Sequence, residues 1–123
     1  MVRYRFGVLA IVAALAPLAL ALPAGAQQSA ARATTVTVTA GKPSEFRFTL
    51  SKKTAVKGTV TFKITNKGNL PHDFKISGHK TKLLSPGQSQ SLKITFTKAG
   101  SFPYLCTVTG HAAAGMKGTF KVT

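Results

Sequence analysis

The sequence predicts an all-β protein, a Greek-key antiparallel β-sandwich of seven to eight strands, on three observations. Apolar residues recur at every second position in four separate stretches, the mark of strands with one buried and one wet face. Clusters of Gly, Pro and Asn separate these stretches at the spacing of short strands joined by tight turns. Behind an apolar leader stand 97 residues without a long helical pattern, enough for one domain and one core.

The leader comes first. Arg3 and Arg5 precede a run from Phe6 to Leu22 that is apolar apart from Pro17, and Ala24, Gly25 and Ala26 supply the small residues that signal peptidase reads. Residues 1–26 are therefore expected to be a signal peptide, cleaved after Ala26. The alternative is a retained anchor, since the run approaches the roughly 20 apolar residues that cross a bilayer; Pro17, Pro23 and Gly25 are poor residues for such a helix. The mature protein is expected to be exported, periplasmic or extracellular. Residues 27–33, small and polar, read as a flexible N-terminal tether, and 34–123 as the folded domain.

Along the domain the alternation runs through Val36 and Val38, then Phe46, Phe48 and Leu50, then Val60, Phe62 and Ile64, then Leu92, Ile94 and Phe96, with Lys, Arg, Thr and Ser between most of them. Turn signals fall at Gly41 to Pro43, Asn66 to Asn69, Ser85 to Gly87, and Ala99 with Gly100. Two of the chain's 17 Lys and Arg lie in the leader, so the mature chain sets 15 basic side chains against Glu45 and Asp73 alone, a net charge of +13. That field favours anionic partners: an acidic redox protein, an anionic membrane face or an acidic cell-wall polymer. Nucleic acid is not expected, because the lysines are dispersed and no aromatic-basic cluster accompanies them.

Cys106, His111 and Met116 form a Cys-x4-His-x4-Met segment, and His72 stands 34 positions before the cysteine. Cys106 is the sole cysteine, and Met116 the sole methionine besides Met1. Exported proteins usually pair their cysteines, so a lone one is a liability or a ligand. Two imidazoles, one thiolate and a distant thioether are the donor set of a blue copper centre. Singly, each residue has a plainer reading: a buried thiol, a core methionine, a core histidine, a loop histidine. Together these plainer readings must all hold at once, in a chain with no other cysteine and no other internal methionine, and metal binding is the expectation for the set. His72 shares parity with Phe74 and Ile76, Cys106 with Phe102 and Tyr104, and Met116 with Phe120 and Val122, so all three are expected to face inward at strand ends. His111 falls in the loop from Thr107 to Gly115. His79, of opposite parity and beside Gly78 and Lys80, reads as an exposed loop residue.

Phe102 to Cys106, followed by His111, Gly115-Met116 and Gly118 to Phe120, with Pro71-His72 upstream, resembles the blue copper proteins, the plastocyanin and azurin-like cupredoxins. The resemblance covers most of the mature chain. It implies a Greek-key sandwich with one mononuclear type 1 copper that passes single electrons, with His72, Cys106 and His111 as equatorial ligands and Met116 as the axial one. The family often has Asn directly after its first ligand histidine; here that residue is Asp73. No open coordination position with a general acid and base is recognisable, so an enzyme is not expected. The leading expectation is an exported, monomeric electron shuttle that docks with acidic redox partners, with Ala112, Ala113 and Ala114, together with Leu70, as an apolar rim. The alternatives are a copper carrier or accessory protein and a metal-free structural sandwich.

Overall fold

A computed structural model describes residues 32–123, together with positions 13, 14, 16 and 17 ahead of them. The expected leader, apart from those four positions, and the tether as far as residue 31 lie outside the described residues. Strand β1 begins at Ala33, the last residue read as tether.

Nine strands follow in chain order: β1 (Ala33–Ala40), β2 (Phe48–Leu50), β3 (Thr54–Ala55), β4 (Gly58–Asn66), β5 (Lys75–Ile76), β6 (His79–Lys80), β7 (Ser89–Phe96), β8 (Gly100–Leu105) and β9 (Lys117–Val122). Three of these are only two residues long, which accounts for the excess over the expected seven to eight. They build two sheets, one ordered β2-β1-β4-β7 and the other β3-β9-β8-β5-β6.

The all-β sandwich is as expected, and the expectation of purely antiparallel pairing is corrected at two pairs. β1 runs parallel to β4 through an eight-residue register from Ala33 opposite Thr59 to Ala40 opposite Asn66, and β3 runs parallel to β9. Alternation reports which face of a strand is buried and carries no information about its direction. Between β1 and β4 the chain passes through one strand of each sheet, so it re-enters the first sheet in its original direction.

The alternation itself is obeyed closely. Val36, Val38, Val60, Phe62 and Ile64 are at most 1% exposed, and Ile94 and Phe96 are buried beside them. From the opposing sheet come Ile76, Tyr104, Phe120 and Val122. Each large apolar side chain removed from water contributes about 1.5–3 kcal/mol, so these inner faces hold the sheets together. Phe62 is the centre of an aromatic cluster, with ring centroids 5.1 Å from Phe120, 5.7 Å from Phe74 and 6.5 Å from Phe96. Phe46 departs from its expected strand: β2 starts at Phe48, and Phe46 packs instead against a second, smaller core of Ala40, Cys106 and Met116. That second core marks the functional end of the sandwich.

Candidate metal centre

Three sequence segments converge at this end. Cys106 directly follows β8 and Met116 directly precedes β9, and the antiparallel pairing of these strands continues one step further, where the Cys106 N–H donates to the Met116 carbonyl at 3.1 Å. The nine residues between them fold into a closed turn. Within it the N–H of His111 donates to Val108 O, that of Ala114 to Gly110 O, and that of Met116 to His111 O, each at 3.0 Å. Gly110 and Gly115 take φ values of +85° and +113°, a region that disfavours side chains, and so let the turn curl His111 back over the core.

His72 arrives from the other direction. It was expected on a regular strand, but it forms a single bridge with Leu84, exchanging both backbone hydrogen bonds at 2.8–3.0 Å. Parity is kept all the same: His72, Phe74 and Ile76 are each at most 1% exposed. Asp73, of opposite parity, is also buried, and its carboxylate accepts from Thr107 N at 2.6 Å and from the Thr107 hydroxyl. This side chain therefore ties the residue after His72 to the residue after Cys106.

Cys106 and His72 are 1% and 0% exposed, and His111 is buried with them. The Nδ1 atoms of His72 and His111 lie 3.1 Å apart, and the Cys106 Sγ lies 3.6 Å from His111 Nδ1 and 4.0 Å from His72 Nδ1. Metal bonds of about 2.0–2.1 Å to imidazole and about 2.3 Å to thiolate, as at zinc, require donor separations of roughly 3–4 Å. The triangle fits one metal ion, and the chemistry of the donors suits copper. His72, Cys106 and His111 are the His, Cys and carboxylate-type donors that cluster in this way among the described residues. Met116 is fully buried in the same small core as Cys106. His79 is exposed on β6, at the mouth of a short hairpin, away from this cluster.

Electrostatics favours a bound cation. Burial pushes the Cys106 thiol above its ordinary value, against a smaller opposing pull from the backbone N–H groups of Asp73 and Val108, so the thiolate needs a positive charge beside it. Burial, with His72 adding to it, pushes the His111 imidazole down, which favours the neutral ring, with one nitrogen lone pair open to a metal. The ring of His111 packs edge-on against Phe46, centroids 5.0 Å apart, which holds its orientation.

Sequence reasoning missed Glu45. Its Oε1 lies 2.7 Å from His72 Nε2, on the side of the ring away from the other donors. The same carboxylate accepts from Asn69 N at 2.9 and 3.1 Å and from Leu70 N at 3.0 Å. Those two N–H groups, with a lesser contribution from His72, hold its pKa at about 2 against a usual 4.5. The available signal was scarcity: the chain has two carboxylate side chains, Glu45 bonded to His72 and Asp73 bonded to the residue after Cys106.

The fold and the donor triangle define a small β-sandwich metalloprotein. The Cupredoxin-like domain family matches residues 9–120, and the chain belongs to that family. A 43-residue stretch, 35% of this chain, is 44% identical to Auracyanin-B of Chloroflexus aurantiacus and spans 18% of that protein's length. Among solved structures, auracyanin B superposes with a TM-score of 0.62 at 22% identity, over 76% of this chain and 90% of that one. Rusticyanin from Thiobacillus ferrooxidans gives 0.60 at 23%, over 74% and 77%. Auracyanin A from Chloroflexus aurantiacus, described as a "blue" copper protein, gives 0.59 at 18%, over 75% and 100%. These likenesses are of fold.

Proposed function

We propose that this chain is an exported blue copper protein that carries single electrons between redox partners and is not an enzyme. The observation that carries the reading is the buried triangle of His72 Nδ1, Cys106 Sγ and His111 Nδ1. Copper, when bound there, supplies a reversible one-electron couple, and soft sulfur donors mixed with imidazoles serve both oxidation states. The residues do the rest. Hydrogen-bonded turns and a packed core fix the donors, so little rearranges as the charge changes. Burial keeps water from the centre.

We take Met116 as the axial donor. Its support is the fully buried side chain, packed with Cys106, and the backbone bond that fixes the two residues together. Neither carboxylate is free for acid-base work, since Asp73 is engaged by Thr107 and Glu45 by Asn69, Leu70 and His72. Electrons are proposed to pass at the rim beside His111, where Ala113, Ala114 and Leu70 are exposed. A partner of acidic surface suits a chain with so few carboxylates; its association is expected to weaken as salt rises. The leader's sequence supports export to the periplasm or beyond.

The deciding experiment is repeated reduction and reoxidation of the copper-loaded protein in the presence of a competing Cu(I) chelator. An electron carrier keeps its copper through the cycles. Stoichiometric surrender of Cu(I) to the chelator would overturn electron carriage and make the protein a copper carrier. Ala113→Glu should slow exchange with an acidic partner and leave the copper spectrum unchanged; an unchanged rate would remove the rim from the account.

A further inference from the structure

We propose that Glu45 is a positioning residue of the copper site: it fixes the His72 tautomer and biases the bound metal toward its higher oxidation state. The inference rests on the copper reading above and deepens it.

The carboxylate has no proton to give, so at the 2.7 Å contact His72 Nε2 must be the donor. That places the ring proton on Nε2 and leaves the lone pair of Nδ1 directed at His111 Nδ1 and Cys106 Sγ. Without Glu45 nothing would select which ring nitrogen of the buried His72 carries the proton, and the tautomer protonated at Nδ1 cannot bind a metal through that atom. An anionic acceptor on the far nitrogen also makes the imidazole a stronger donor, as carboxylates do for metal-bound histidines generally. A stronger, more negative donor favours Cu(II) over Cu(I).

The rest of the fold is arranged around this contact. Asn66 is fully buried at the end of β4, and its side-chain amide donates to Leu70 O and Leu84 O, both at 2.8 Å, while its Oδ1 accepts from Gly68 N at 2.8 Å. This pins the segment between Asn66 and His72 so that the Asn69 and Leu70 N–H groups point at the Glu45 carboxylate. Gly68 lies against that contact: a Cβ there would collide with Glu45 Oε1 and come within 3.0 Å of His72 Nε2. Gly68 is buried, and its backbone leaves the space that the carboxylate and imidazole fill. A surface ion pair would need none of this.

The test compares wild type, Glu45→Gln and Glu45→Ala by two readouts. In metal-free protein, ¹⁵N NMR should report His72 protonated at Nε2 in the wild type and a mixture of tautomers in Glu45→Ala. In copper-loaded protein, Cu(II) affinity should fall about 10–100-fold in Glu45→Ala and Cu(I) affinity should fall less. A tenfold difference between those losses is a rise of about 59 mV in reduction potential. Glu45→Gln keeps an acceptor oxygen but removes the charge, so it should keep the tautomer and still raise the potential. Wild-type tautomer and potential in both variants would overturn the proposal. Should the wild type bind no copper, the copper reading would fall by itself, and the NMR comparison would still decide whether Glu45 fixes His72.

Discussion

Replacing Gly68 with alanine adds one methyl group where the structure has no room for it, and the cost can be worked from what must move. Its Cβ would collide with Glu45 Oε1 and approach His72 Nε2 to 3.0 Å. His72 is locked into its bridge with Leu84, so the carboxylate is the group that yields. Swinging out, it abandons the Asn69 and Leu70 N–H groups and the imidazole. Hydrogen bonds to a charged group are worth about 1.5–3 kcal/mol each, but the Glu45 side chain is 23% exposed and water recovers part of that. A net loss of about 2 kcal/mol remains, which for a domain of this size lowers the melting temperature by roughly 8–16 °C. The assay is thermal unfolding of the metal-free protein in a double-mutant cycle with Glu45→Ala. Gly68 has no left-handed φ, so alanine is conformationally allowed. With the carboxylate gone the same substitution should be close to neutral, because stiffening the unfolded chain offsets the residual crowding. A coupling of about 1–2 kcal/mol is expected. Equal costs in both backgrounds would mean that the methyl group acts on something other than Glu45, contrary to this prediction.

Other perturbations follow from the same contacts. Phe62→Ala removes a fully buried ring from the centre of the aromatic cluster and should cost about 3–5 kcal/mol in denaturant unfolding, with Phe62→Leu costing much less. Asp73→Ala strips two hydrogen bonds from Thr107 and should cost about 1–3 kcal/mol; Asp73→Asn retains an acceptor for the Thr107 N–H and should cost well under that while raising the reduction potential through loss of charge. Acid should destabilise the metal-free protein through Glu45, whose folded pKa of about 2 lies below the ordinary 4.5. Its contribution is fully present above pH 4.5 and is lost as pH falls from there through 2. Chemical denaturation at stepped pH should show this fall in the wild type and a shallower one in Glu45→Gln.

Much of this was written in the alternation. Val36, Val38, Val60, Phe62, Ile64, Ile94 and Phe96 face inward as their parity requires, and the same rule turned His72, Cys106 and Met116 into the interior. The direction of β4 relative to β1 was not legible, because parity is the same in either direction; it depends on the chain crossing to the other sheet between them. His72 keeps its orientation without a regular strand because one bridge to Leu84 suffices to fix it. Phe46 followed its parity yet left its strand, since the short core around Cys106 and Met116 offered it the ring of His111. Glu45 lies 27 residues before His72 in a stretch with no metal-ligand spacing. Its contact depends on two loops meeting, where Gly41, at φ +80°, lies against the backbone of Gly68. No local pattern in the sequence encodes such a meeting.

A blue copper site is tested most directly by a visible absorption titration of metal-free protein with Cu(II), run beside Cys106→Ser. The wild type should show an intense blue band that grows to one equivalent, bleaches with a mild reductant, returns on oxidation and is absent from Cys106→Ser. A pale solution, or a band that survives loss of the thiolate, would contradict such a site.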